Sequence, residues 1–233
     1  MATSVEPELD QVLRAAARLQ ALVPDAVLVG GAAAAQRAGH RVSFDDDHVL
    51  ADLRVRFDDV LAALEETDGW VTARIRRPVL ILGSLDGVET GIRQLIRRRP
   101  LEVESIRVGR RRLQVPTLSE ITRIKAWLVL QRNATRDYLD VVALADRLGL
   151  EEAVEVLVGL DDYYEDQRGP GGLRVATQVA RQLAEPRPYD LSDVDLAHYR
   201  RLEDRWRDWA AVADAGRRLA VGMVERIAED GPS

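Results

Sequence analysis

Asp45 and Asp47 stand one residue apart in the segment VSFDDD, with Asp46 between them. In an extended chain, residues two apart point to the same side. Asp45 and Asp47 would then present paired carboxylates on one face, with Asp46 turned away. Two hard oxygen donors at that spacing suit Mg²⁺ or Mn²⁺, with substrate phosphates completing the shell. The alternative is an acidic turn in which Asp46 or Asp47 caps a neighbour. Asp45 lies fourteen residues past Gly31, and the pair Gly30-Gly31 separates the apolar run AVLV from the alanine-rich GAAAAQRAG. Glycines between a strand and a helix let backbone N–H groups come close to a phosphate, and the helix start adds partial positive charge. A plain tight turn would need the same residues.

A second group lies in KAWLVLQRNATRDYLD. Of the 33 basic residues, 32 are arginine and only Lys125 is lysine. A compact ammonium fits where a planar guanidinium does not. On an otherwise apolar helix, Lys125 calls for a buried carboxylate or a ligand phosphate, unless its stem only carries the charge out to solvent. Asp137 falls in the first turn of the next helix, where the helix dipole favours a carboxylate. Arg136 and Asp140 are four apart and could pair across one turn.

Taken together, the patterns GG-A, GHR-x-S-x-D-x-D and K-x₆-R-x₃-RD-x₂-D resemble the AbiEii/MenT-type nucleotidyltransferases. These are toxins of bacterial type IV toxin–antitoxin systems, with a fold similar to that of the polymerase-β nucleotidyltransferases. The resemblance spans Val27 to Asp47 and Lys125 to Asp140, and loosely the strands between. It implies that Gly30 and Gly31 hold the triphosphate of an NTP substrate. Ser43 and Arg41 would shape the loop that bears the metal ligands Asp45 and Asp47. Lys125 would meet the nucleotide phosphates and Asp140 would complete the catalytic set with Asp45, Asp47 and Lys125. The implied acceptor is RNA, at the 3′ end of tRNA, and a cognate antitoxin protein is an implied partner. Two positions differ from the family pattern. Ala32 stands where a Thr hydroxyl is usual. Gly91, in GVETGI, stands where many polymerase-β-like enzymes carry a third acidic residue, with Glu89 two residues earlier as a substitute. Other readings are transfer to a small molecule or a protein hydroxyl, or a non-catalytic member that binds nucleotide or a partner protein.

These residues must be positioned by two kinds of chain. Residues 7–22 read as an amphipathic helix with Val12, Ala16, Leu19 and Leu22 at helical spacing. A short buried strand (DAVLVG), a helix closed by Gly39, a turn into a second strand, and a helix over FDDVLAALEET follow. WVTARIRR, PVLILGSLDG, VETGIRQL and LEVESIRVGRRRLQVP alternate as strands with glycine-containing turns. From Leu118 the pattern is helical: LSEITRIKAWLVLQR with Ile121, Ile124, Trp127 and Leu128 on one side, a helix from an N-cap at Thr135 to a stop at Gly149, LEEAVEVLVGLDDYYED, LRVATQVARQLAE, and a long segment from Ser192 to about Ala228, where Trp206 and Trp209 read as packing residues. The expected fold class is α+β. A polymerase-β-like nucleotidyltransferase domain, a mixed sheet with flanking helices, occupies residues 1–117. A helical bundle, residues 118–233, contributes Lys125 and Asp140.

Composition narrows the chemistry. The chain has 233 residues, no cysteine and a net charge of −6. Disulfides, zinc–thiolate sites and cysteine nucleophiles are excluded, and His40, His48 and His198 lack metal-ligand spacing. The acidic start MATSVEPELD is not a signal peptide, no apolar run is long enough for a bilayer, and a cytoplasmic location with no membrane partner is expected. Residues 70–125 hold thirteen basic and five acidic side chains. That stretch is either a solvated face balanced by acidic helices or a surface for a polyanion.

Overall fold

A computed structural model describes residues 7–229. The opening residues read above as no signal peptide lie in part outside that range. The chain divides into two compact units. One comprises the chain up to Gln36 with Val42–Thr117, the other Arg37–Arg41 with the chain from Leu118 onward. The short segment 37–41 therefore groups with the helices rather than with the sheet that flanks it in sequence.

The first unit is built on a five-stranded mixed sheet. Its strands are β1 (Val27–Val29), β2 (Asp46–Leu50), β3 (Trp70–Arg76), β4 (Leu80–Leu85) and β5 (Val88–Gln94), in the order β1-β2-β5-β4-β3. β2 and β5 run parallel, and the other pairs are antiparallel. The β4–β5 turn is Asp86-Gly87, both with positive φ (54° and 79°), the type I′ geometry that Asp-Gly favours. Helices α1 (Pro7–Leu22) and α3 (Leu53–Glu65) bring Leu19, Phe57, Val60, Leu61 and Leu64 into one apolar cluster with Leu50, Ile81, Leu85 and Ile92 of the sheet. Each such side chain contributes roughly 1.5–3 kcal/mol by leaving water. α2 (Gly30–Ala38) follows β1 directly, and Ala32 through Ala35 are buried on it. A hairpin, β6 (Val103–Val108) and β7 (Arg111–Pro116), forms a second, two-stranded sheet.

The second unit is helical: α4 (Leu118–Arg132), α5 (Thr135–Leu148), α6 (Leu150–Val158), α7 (Val175–Ala184) and α8 (Trp209–Glu229), joined by short 3-10 turns. Three sequence expectations change here. The buried face of α4 carries Ile121, Thr122, Lys125, Ala126 and Val129, while Ile124, Trp127 and Leu128 are only partly buried. Polar residues with internal partners occupy positions that hydrophobic spacing assigns outward. Thr135 is the first helical residue of α5 rather than its cap. Its N–H and hydroxyl both donate to Asp190 at 2.8 Å, so a residue 55 positions away serves the helix start. The final helix begins only at Trp209, and the preceding stretch holds isolated 3-10 turns. Trp206 is buried and Trp209 packs edge-on against Tyr138. Among the described residues, no helix is long and apolar enough to cross a membrane.

Candidate active site

In the first unit, β2 alternates as an extended strand must. Asp46, His48 and Leu50 are buried, and Asp47 and Val49 are partly exposed. Asp46 shares the covered side of the sheet with His48, and neither carboxyl oxygen of Asp46 nor either ring nitrogen of His48 has a hydrogen-bond partner. The closest approach between them is 3.7 Å. Burial, with Asp47 and Asp45 nearby, pushes the Asp46 carboxyl up to about 9. Burial pushes the His48 imidazole down to about 3. Both groups are therefore neutral at pH 7. Asp45 lies just before the strand and is exposed.

Asp47 pairs across the ladder with Val29 of β1 on one side and Gly91 of β5 on the other. Gly30 follows Val29 with φ 72°, and a Cβ there would sit 3.0 Å from both Cβ and Oδ2 of Asp47. The glycine turn, the opening of α2 and Asp47 are thus built as one piece. On the other side, Gly91 lies on the same face as Asp47, and a Cβ on it would meet the Leu82 side chain at 2.7 Å. Exposed Glu89 precedes it on that face, and Arg93 follows it with Nε 3.6 Å from Oδ1 of Asp47. Where a third carboxylate is usual, this chain has a glycine whose place a side chain could take only if Leu82 moved and, one step along the face, a cation. Alternation over VETGIRQ is enough to set Arg93 on the face of Glu89 and Gly91, so this cation was within reach of sequence reasoning. Ser43 is buried at the start of the acidic segment.

In the second unit, Asp140 is fully buried at the centre of three donors. His40 Nε2 lies 2.8 Å from Oδ1. Arg41 donates from Nε to Oδ1 at 2.8 Å and from Nη2 to Oδ2 at 3.0 Å. Lys125 Nζ lies 2.7 Å from Oδ2, and Lys125 itself is 2% exposed. Burial alone would raise the Asp140 carboxyl, but Arg41, Lys125 and His40 together hold it well below the usual carboxylate range. Burial lowers His40, which remains neutral and donates through Nε2, leaving Nδ1 without a partner. Asp137 is also fully buried, 3.8 Å from Lys125, and burial raises its carboxyl. Its place in the first turn of α5 is as expected, but it faces inward. Arg136 is exposed, and the oxygens of Asp140 are engaged by His40, Arg41 and Lys125 instead of across the turn. Tyr199 lies beside the Arg41 guanidinium, 6.0 Å from ring centre to Cζ. His40 stands in the GHR pattern quoted above, but nothing in the sequence marked it as a partner of Asp140.

The structure thus brings Gly30 against Asp47 in the first unit, and Arg41, Lys125 and Asp140 together in the second. Among the described residues, no three His, Asp or Glu side chains gather as a complete metal cage.

No family model matches the chain. It is 31% identical over 246 residues to the probable transport protein MmpL11 of Mycobacterium bovis and to the heme uptake protein MmpL11 of Mycobacterium tuberculosis. Those matches cover 96% of this chain, which spans about a quarter (24%) of the length of these relatives. Among solved structures, JHP933 from Helicobacter pylori superposes with a TM-score of 0.55 at 15% identity over 97% of this chain and 96% of its own. A "putative nucleotidyltransferase" from H. pylori superposes with a TM-score of 0.55 at 14% identity, over 97% of both chains. The chain shares the fold of these two H. pylori proteins. The α+β architecture, a mixed sheet with flanking helices followed by helices, is the one expected from the sequence.

Proposed function

We propose that this chain is a nucleotidyltransferase that moves a nucleoside monophosphate from an NTP to a hydroxyl of RNA, releasing pyrophosphate. The observation that carries the reading is the contact of Gly30 with Asp47. A glycine held at positive φ opens a helix directly against an accessible carboxylate, in a chain whose fold superposes on that of a "putative nucleotidyltransferase". Backbone N–H groups at Gly30 and Gly31 would bind the triphosphate. Asp45 and Asp47 would hold Mg²⁺ or Mn²⁺. Two accessible carboxylates with room for phosphate oxygens fit that ion's preference for a few carboxylates plus substrate. When bound, the ion would neutralise phosphate charge and orient the triphosphate. Arg93 would balance Asp47 before nucleotide arrives. Asp140 and Lys125 would act chiefly by anchoring Arg41, four residues before Asp45 in the chain, and so the start of the segment bearing Ser43 and the acids. The motif resemblance supports the finer reading: a cytoplasmic toxin of a toxin–antitoxin pair that modifies the tRNA 3′ end and is silenced by an antitoxin.

The test is incubation of the protein with Mg²⁺, total tRNA and each α-labelled NTP in turn. Label should enter RNA with at least one nucleotide, and Asp45→Ala should abolish it. One alternative keeps the chemistry and changes the acceptor to a protein or small molecule; label appearing there and not in RNA would select it. The other is a non-catalytic nucleotide- or partner-binding domain. It is favoured by Gly91 in the place of a third carboxylate and by Arg93 on Asp47. The match to a quarter of the transport protein MmpL11 also suits a module joined to other machinery. Nucleotide binding without any labelled product would support it.

A further inference from the structure

The β6–β7 hairpin places Arg107 directly opposite Arg112. The closing pair is Val108 and Arg111, and the two-residue turn is Gly109-Arg110 with Gly109 at φ 58°, as type II′ geometry requires. Ladder pairs alternate, so the pair next to the closing pair is the kind whose side chains lie closest. Like charges directly opposite each other in a sheet are destabilising. Arg107, Arg110, Arg111 and Arg112 are all exposed, and none forms an ion pair among the described residues. Other exposed arginines have an acid within reach: Arg14 with Asp10, Arg205 with Asp146, Arg218 with Asp214. On an otherwise acidic chain, four unneutralised guanidinium groups within six residues, two of them forced together by strand register, call for an external anion.

We propose that this hairpin is a docking surface for the phosphodiester backbone of RNA, with Arg107 and Arg112 bridging neighbouring phosphates and Arg110 and Arg111 flanking them. The guanidinium fork matches phosphate oxygens in two-point contacts. RNA is favoured over an anionic membrane because the apolar residues near the tip, Val108 and Leu113, are buried. A surface element that enters a lipid interface presents apolar side chains beside its basic ones. The inference rests on the nucleotidyl-transfer reading for its choice of acceptor.

The experiment uses the whole chain with fluorescent tRNA and measures affinity by anisotropy from 50 to 300 mM salt. It is run for the wild type, Arg107→Gln/Arg112→Gln, and the control Arg217→Gln/Arg218→Gln on α8, which removes equal charge. The hairpin variant should bind about tenfold more weakly at low salt. Its salt slope should fall by about 1.4, two phosphate contacts at roughly 0.7 each on single strands. In the α-labelled NTP assay its KM for RNA should rise while KM for NTP stays unchanged. Its thermal midpoint should not fall, since a repulsion has been removed. Equal loss in the control, or unchanged affinity and slope in the hairpin variant while RNA is still labelled, would overturn the hairpin proposal and leave the transfer reading standing. Wild-type protein that neither binds nor labels tRNA would sink both. Binding to phosphatidylserine vesicles in place of tRNA would assign the surface to a membrane instead.

Discussion

Gly30 combines two demands that no other residue type meets. Its φ of 72° lies in the left-handed region, and a Cβ in its place would stand only 3.0 Å from Asp47. Gly30→Ala should therefore cost about 1–2 kcal/mol from the backbone alone, and it should weaken NTP binding, because the new methyl group displaces either the turn or the carboxylate. Urea denaturation and nucleotide titration read the two effects separately. A Gly30→Ala variant with unchanged stability would show that the turn is not held as described. Lys125 gives a second test at this scale. Its ammonium lies between Asp140 at 2.7 Å and Asp137 at 3.8 Å with 2% exposure. Removing one partner of a buried pair leaves an uncompensated charge, so Lys125→Met should lose about 3–5 kcal/mol by denaturant titration. Lys125→Arg should also destabilise, because a rigid planar fork cannot enter a pocket shaped for a compact ammonium.

At the level of elements, β2 shows how a period of two sorts chemistry. One carboxylate of the strand faces the accessible side and its neighbour, Asp46, is buried beside His48. The two buried groups pull stability in opposite directions with pH. The pKa of His48 falls from 6.5 to about 3 on folding, so its contribution to stability is full above pH 6.5 and is lost as pH falls from there to about 3. Asp46 rises to about 9, so its contribution is full below pH ~4 and is lost as pH climbs from there to about 9. Of these two groups only Asp46 acts between pH 6.5 and 9, and its contribution to stability in the absence of metal should fall with rising pH, by up to about 1.4 kcal/mol per unit. Asp46→Asn should flatten that limb; chemical denaturation at pH 6.5, 7.5 and 8.5 in EDTA checks it, and a slope unchanged by the substitution would refute it. The strands β1 to β5, the β4–β5 turn and the helices α1, α4 and α5 were legible because apolar periodicity and Gly or Asp-Gly turns are local signals. The inward face of α4, the cap of α5 and the late start of α8 were not. Each depends on a partner far along the chain: Asp140 for Lys125, Asp190 for Thr135, and the packing of Trp209 on Tyr138. For the same reason the sequence named Lys125, Arg41 and Asp140 but could not show that they meet, and it missed His40 as the third donor.

For the whole molecule, the consequence lies in how the chain divides. The helical unit includes Arg37–Arg41, which the whole of Val42–Thr117 separates in sequence from its other members. That short segment supplies three of the four bonds to Asp140, one from His40 and two from Arg41. It also provides the Ala38 carbonyl that accepts from Arg147 Nε and Nη2, and the His40 carbonyl that accepts from the Glu203 N–H. A cut at the sequence boundary, giving residues 118–233 alone, would leave Asp140 buried with Lys125 as its one remaining ion partner, beside a second buried carboxyl at Asp137. Breaking a buried ionic network by removing partners costs several kcal/mol, a large share of the 5–15 kcal/mol that holds a domain together. The fragment should therefore keep helical far-UV ellipticity while losing the near-UV signal of its tryptophans, bind the dye ANS, and melt without a sharp transition, the signs of lost packing with retained helix. Supplying residues 37–41 as the peptide RAGHR at millimolar concentration should recover part of the near-UV signal, and the same peptide with Arg41 replaced by alanine should not. A fragment that melts as sharply as the full chain without any peptide would show that the five-residue segment is an ornament of the helical unit and not part of its core.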